Sequence, residues 1–203
     1  MQQIRPVGMA AGDQILEAVI PLRVDGGDVD VTVISTWQPA ASRLPIGLGV
    51  AAGLATVALG WLLRSGRWFA AVALPPAVLA LVAGVWQYVS LPPETGPRTV
   101  WQLLPALATV GAVVGIVAAR RGARFVAWAA VLLTGVELAI WGYIKRDGLS
   151  AALIPTEAPG WFDRLATTTA LTGGVGLAAL AVVELFGLGS AREKQVVLDP
   201  APA

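Results

Sequence analysis

The sequence predicts an all-α integral membrane bundle of five transmembrane helices with a short extracytoplasmic β-hairpin at its N-terminus. Three observations carry that prediction. The 203 residues are 56% apolar and 13% charged, about half the roughly 25% charged share of a soluble domain. Five apolar runs are long enough to cross a hydrocarbon core, which takes about 20 residues of helix. An alternating pattern is confined to the N-terminal segment and is followed by linker residues.

Residues 1–44 form the hairpin segment and its linker. Leu16, Ala18, Ile20, Leu22 and Val24 alternate with Glu17, Val19, Pro21 and Arg23, and Val29, Val31 and Val33 alternate with Asp30, Thr32 and Ile34. Period-two alternation is the mark of a strand. Asp25-Gly26-Gly27-Asp28 between the two runs has the flexibility of a tight turn. A third strand is predicted at Gln3 to Val7, and Pro39 to Pro45 reads as a linker. An isolated hairpin is marginal in water, so this one should pack on another protein, on the membrane surface or on a further part of its own domain.

The bundle is predicted over residues 45–188. Its first span runs from Pro45 to Leu63 and stops at Arg64-Ser65-Gly66-Arg67; the second runs from Trp68 to Val89, before a Pro-rich loop through Arg98. The third begins near Val100 and stops at Arg120-Arg121-Gly122-Ala123-Arg124, the fourth covers Phe125 to Ile144, and the fifth covers Leu165 to about Leu188. Residues 189–203 form a tail. The connection from Ile154 to Trp161 reads as an ordered re-entrant or surface loop leading to an interfacial helix start, with Asp163 well placed near its N-terminus, or as a binding lip formed with the hairpin.

Arginine and lysine in short loops favour the cytoplasm. Arg64, Arg67, Arg120, Arg121 and Arg124 lie in two tight loops without an acid, and Arg192 and Lys194 follow the fifth span. This predicts a multi-pass protein of a bacterial plasma membrane, N-terminus outside and C-terminus cytoplasmic. The first fifteen residues have neither a basic start nor an apolar stretch, so no signal peptide is expected. Two accounts of export stay open: translocation of a short tail with three Arg against five acids, or an internal start at Met1. Trp61 with Trp68, Trp86 with Tyr88 and Trp101, and Trp141 with Tyr143 and Trp161 flank the loops as interfacial anchors.

The inventory of reactive side chains excludes much. There is no His and no Cys, hence no Ser-His-Asp triad, His-ligated metal, disulfide, thiolate nucleophile or Fe–S site. With a net charge of +1, nothing draws the chain to nucleic acid. No catalytic residue, cofactor or metal site is expected. The expected partners are the lipid bilayer and larger membrane protein subunits.

Two carboxylates stand out. Glu137 lies about twelve residues, or about 18 Å at 1.5 Å per residue, along the fourth span, slightly past the midplane. An ionised carboxylate there is costly unless paired, hydrated or protonated. Three roles stay open: an acid hydrogen-bonded to a neighbouring helix, a contact with a partner subunit, and a step in a proton or ion pathway. Its counter-charge would come from a partner chain or from a snorkelling Lys145. Glu184, near the cytoplasmic end of the fifth span, is expected to pair at the interface, with the Arg120 to Arg124 loop in reach.

Small residues recur at helix-packing spacing: Gly49 and Gly53, Gly111 and Gly115, and Ala170, Gly174 and Ala178. Pro75-Pro76 inside the second span predicts a kink near Leu74, favoured over a transport site because no polar side chain accompanies it. Pro105 lies near the start of the third span.

Residues 7–36, with Gly12 to Pro21-Leu22 followed by Asp28-Val29-Asp30-Val31-Thr32-Val33, resemble the last strands of the exported β-sandwiches of the FixH/YtkA-like and CopC-like groups. That resemblance covers about 30 of the 203 residues and none of the helical region. It implies an exported sandwich fragment on a helical anchor, in a setting of copper handling or oxidase assembly. The His and Met ligands of a copper-binding member are absent apart from Met9. Together these features favour a non-catalytic accessory or assembly subunit of a larger bacterial membrane complex, respiratory, copper-related or oxidative. The alternative is a small transporter or ion-conducting protein using Glu137.

Overall fold

The computed structural model describes Gly8, Ala10 and residues 12–25, 27–38, 42–91, 99–154 and 156–187. The chain divides into two units, one holding a hairpin with residues 151–153 and the other holding the helices.

In the first unit β1 (Gln14–Val24) pairs antiparallel with β2 (Gly27–Thr36), in a register that sets Ile20 opposite Val31 and Val24 opposite Gly27. Only Asp25 and Gly26 join the strands. Asp25 sits at φ 51°, the left-handed conformation that a two-residue hairpin turn requires if it is to match the strand twist. Each strand extends two residues beyond the alternating pattern at its open end. The strand expected at Gln3 to Val7 lies outside the described residues, as do positions 39–41 of the linker.

The second unit contains five helical stretches. α1 spans Leu44–Leu63, a 3-10 turn at Phe69–Ala73 runs into α2 (Leu74–Val89), α3 spans Val100–Arg120 and α4 spans Arg124–Ile144. A second 3-10 turn, Arg146–Leu149, precedes α5 (Gly160–Leu185). All five stretches are long and apolar enough to cross a membrane, with mean hydropathy from 1.6 to 2.1. α5 packs against α1, α4 and α2, and α3 lies against both α2 and α4.

Three sequence expectations need correction. Pro75 and Pro76 do not kink a continuous helix. They fall in the first turn of α2, after the 3-10 turn, where a missing N–H removes no intrahelical bond. The fifth span starts at Gly160 rather than Leu165; Asp163, expected near the N-terminus of the helix start, lies in the first turn of α5, and both it and Arg164 are buried rather than interfacial. Trp141 is wholly buried, not interfacial.

Trp141 is buried because α3 needs it. Pro105 lies inside α3 and has no N–H to give to the carbonyl four residues earlier, that of Trp101. The indole Nε1–H of Trp141 donates to that oxygen at 2.8 Å. A bare Gly84 on α2 makes room beside it, since a Cβ there would overlap the same carbonyl. One proline thus explains a buried tryptophan on α4 and a glycine on α2.

Elsewhere small residues let backbones meet. A Cβ on Gly174 of α5 would lie 2.6 Å from the Ala139 amide nitrogen and 2.7 Å from the Gly135 carbonyl of α4, too close for any real contact. Gly49 and Gly53 of α1 face Thr168 and Thr172 of α5, where a Cβ would collide with the hydroxyls, and Thr169 Oγ1 donates to the Gly49 carbonyl at 3.2 Å. Gly111 of α3 faces Thr134 of α4, whereas a methyl on Gly115 would meet Ala70 and Ala127 only at 3.4–3.5 Å. The larger side chains fill the rest of the core, led by Phe69 stacked on Trp128 with ring centroids 4.0 Å apart.

Candidate functional site

Glu137 is half-buried on α4, beside the face that buries Thr134, Leu138 and Trp141. Its Oε2 is fully enclosed and has no hydrogen-bond partner among the described residues. It makes no ion pair among them either. Lys145, offered by the sequence as a counter-charge, is turned to Asp163 of α5 instead.

That pair closes the end of the bundle opposite the arginine loops. Asp163 is 2% and Lys145 8% exposed; they share a hydrogen bond and ion pair, and Lys145 also lies 4.7 Å over the Trp141 ring. Burial pushes the Lys145 ammonium below its ordinary value, and the Asp163 charge and hydrogen bond offset part of that shift. Burying an ion pair costs desolvation on both partners, so its value lies less in net stability than in fixing how α4 meets α5. Arg164 is buried next to it, its guanidinium lying where a side chain on Gly160 would go. Gln87 Oε1 and Thr167 Oγ1 are enclosed without hydrogen-bond partners among the described residues.

The sequence singled out Glu137 and missed this pair. From sequence, Lys145 reads as a counter-charge for Glu137 and Asp163 as a charge near a helix start, not as partners. The signal was in the helical spacing: Asp163, Ala166 and Ala170 follow at intervals of three and four, so all three share the buried face of α5.

At the opposite end Glu184 lies 3.8 Å from Arg64, not against the Arg120 to Arg124 loop. Arg64 caps α1 where that helix packs on α5. The loop arginines are otherwise engaged: Arg124 donates to the Arg64 and Ser65 carbonyls at 2.8 and 3.3 Å, and Arg120 lies 4.3 Å over the Trp68 ring. These contacts tie the turn after α1 to the turn after α3.

Among the described residues no three Asp or Glu side chains gather as a metal site would require. What the arrangement offers is a set of close helix contacts, one enclosed carboxylate and a buried ion pair. No protein-family model matches the chain, and comparison with curated proteins and with solved structures yields no match.

Proposed function

We propose that this chain is a non-catalytic subunit of a larger bacterial membrane complex, crossing the membrane five times with its hairpin outside and its arginine-rich turns in the cytoplasm. The observation that carries this reading is the hairpin. Its two strands are exposed on both faces, with Ile15, Leu16, Ile20 and Val24 of β1 and Val29, Val33 and Ile34 of β2 each more than 40% exposed. Two strands with apolar side chains on both faces do not hold themselves together in water, and an exposed strand edge is a template for another strand. An extracytoplasmic partner supplies both the missing strand and the missing core.

The thin chemical inventory supports the same reading. One carboxylate and an ion pair serve for docking and register, not for turnover. Resemblance of the hairpin to the last strands of an exported sandwich agrees with a partner made of β-structure. Substituting Ile20 and Val31, which face each other across the strands, by lysine tests the docking role. The expected result is a chain still present in membranes that no longer co-purifies with its partners.

A second reading has its own observation in Glu137, whose enclosed Oε2 lacks a partner among the described residues. A proton-conducting or transport role makes Glu137→Gln abolish flux while assembly is kept. The subunit role makes the same substitution weaken the complex.

A further inference from the structure

A groove of about 360 Å³ runs between α3 and α4 at the arginine-rich end, within the roughly 300–1,000 Å³ range of small-molecule sites. Val113, Val114 and Val117 form one wall, Val126 the other, and Arg121 stands at the mouth. The three valines recur at intervals of one to four residues on the face of α3 opposite Ala108, Ala112 and Gly115, which are buried against the bundle. The groove therefore opens outward, and its side chains are half or nearly half exposed.

Charge decides what fits it. Five arginines, Arg64, Arg67, Arg120, Arg121 and Arg124, sit in the two turns at this end, and Glu184 engages Arg64 alone. Arg120 and Arg124 are held by a ring and by backbone carbonyls. Arg121 makes no ion pair, side-chain hydrogen bond or ring contact among the described residues, and it is exposed. An apolar slot about one helical turn long from Val113 to Val117, ending at Arg121, is complementary to the part of an acyl chain next to an anionic headgroup. A zwitterionic headgroup would bring an ammonium that cancels its phosphate against this excess of arginines, whereas a headgroup of net negative charge keeps an uncancelled anion for them.

We propose that this groove binds one anionic glycerophospholipid, its acyl chain laid along Val113 and Val117 and its phosphate held by Arg121. The inference rests on the reading of the five helices as membrane spans. An arginine near a phosphate adds about 1 kcal/mol, or roughly fivefold in affinity.

The test uses the full chain, purified in a neutral maltoside detergent and titrated with dioleoyl phosphatidylglycerol or dioleoyl phosphatidylcholine, bound lipids being counted by native mass spectrometry. One phosphatidylglycerol is expected to bind in preference to phosphatidylcholine. Arg121→Gln should weaken phosphatidylglycerol about fivefold and phosphatidylcholine, whose ammonium already offsets part of the attraction, by less, so that the preference narrows. Arg67→Gln, the same charge change in the other turn and outside the groove, should do much less. Val117→Trp, and independently Val126→Trp from the other wall, should block binding while circular dichroism stays helical.

Equal binding of the two lipids, equal losses from Arg121→Gln and Arg67→Gln, or full binding in both tryptophan variants would overturn the site. So would a change in oligomeric state on filling the groove without any lipid preference, which would make its occupant a second copy. A chain that stays dispersed without detergent removes the membrane reading itself. A chain that needs detergent but shows no lipid preference removes only the lipid site.

Discussion

Replacing Trp141 by phenylalanine removes a single hydrogen-bond donor near the end of the bundle that holds Lys145 and leaves a ring in place. Its consequence follows from Pro105. The Trp101 carbonyl has lost its usual donor within α3, so the Trp141 indole is its replacement at 2.8 Å. Interhelical hydrogen bonds in membrane proteins average about 0.6 kcal/mol, because either partner finds a substitute when the pair is broken. Here the acceptor is a backbone carbonyl that Gly84 approaches closely, and Pro105 offers it no amide within α3. Leaving a buried acceptor unsatisfied costs about 1–3 kcal/mol, which is roughly 5- to 150-fold in the folding equilibrium. The assay is unfolding by sodium dodecyl sulfate in mixed micelles, followed by far-ultraviolet circular dichroism. A cycle with Pro105→Ala isolates the cause, since that substitution restores the backbone N–H. Trp141→Phe should cost at least about 1 kcal/mol less when made together with Pro105→Ala than when made alone. An identical cost in both backgrounds, within the roughly 0.3–0.5 kcal/mol of ordinary additivity, would refute the reasoning.

Asp163→Asn leaves Lys145 buried beside a neutral partner, and breaking a buried pair this way costs about 3–5 kcal/mol. Because burial holds the Lys145 pKa below its unfolded value, its contribution to stability is fully present above the unfolded pKa and is lost as pH falls through the folded one. Without the Asp163 charge the folded pKa drops further, so the variant should recover part of its deficit between neutral pH and about pH 10, near the ordinary lysine value; a deficit constant over that range would contradict it. The glycines separate by geometry: Gly174→Ala should destabilise the α4 and α5 contact by several kcal/mol, through overlap with Ala139 and Gly135. Gly115→Ala, with only ordinary contacts to meet, should change stability by less than about 1 kcal/mol. Unfolding midpoints of the two variants in one micelle system decide the comparison.

The helices were legible because bilayer-length apolar runs ended in charged or Pro-rich turns; three of the five predicted starts lie within one residue of the helices observed, and Trp68 lies one residue before the 3-10 turn that leads into α2. The fifth was misread for a physical reason. Asp163 was legible as a charge near the helix start, but its burial rests on Lys145 at the end of α4, and a cross-helix partner is invisible to a reading of one segment at a time. The same holds for Trp141, whose surroundings in sequence match an interfacial anchor. Its burial depends on a carbonyl 40 residues away. Sequence alone reads Pro75-Pro76 as a packing kink near Leu74; the 3-10 turn before Leu74 places both prolines in the first turn of α2 instead. Glu137 could be singled out from depth alone, but its lack of a partner among the described residues required the packed structure. Lys145 and Asp163 show what remained hidden: charges placed in connections by their neighbours and placed in the core by their contacts.

The subunit reading is tested most directly by purifying the native protein in mild detergent and identifying by mass spectrometry what migrates with it. The account predicts larger membrane proteins in fixed stoichiometry, lost when Ile20 and Val31 are replaced by lysine. A monodisperse species of this chain alone would contradict it and move Glu137 to the centre of a transport function.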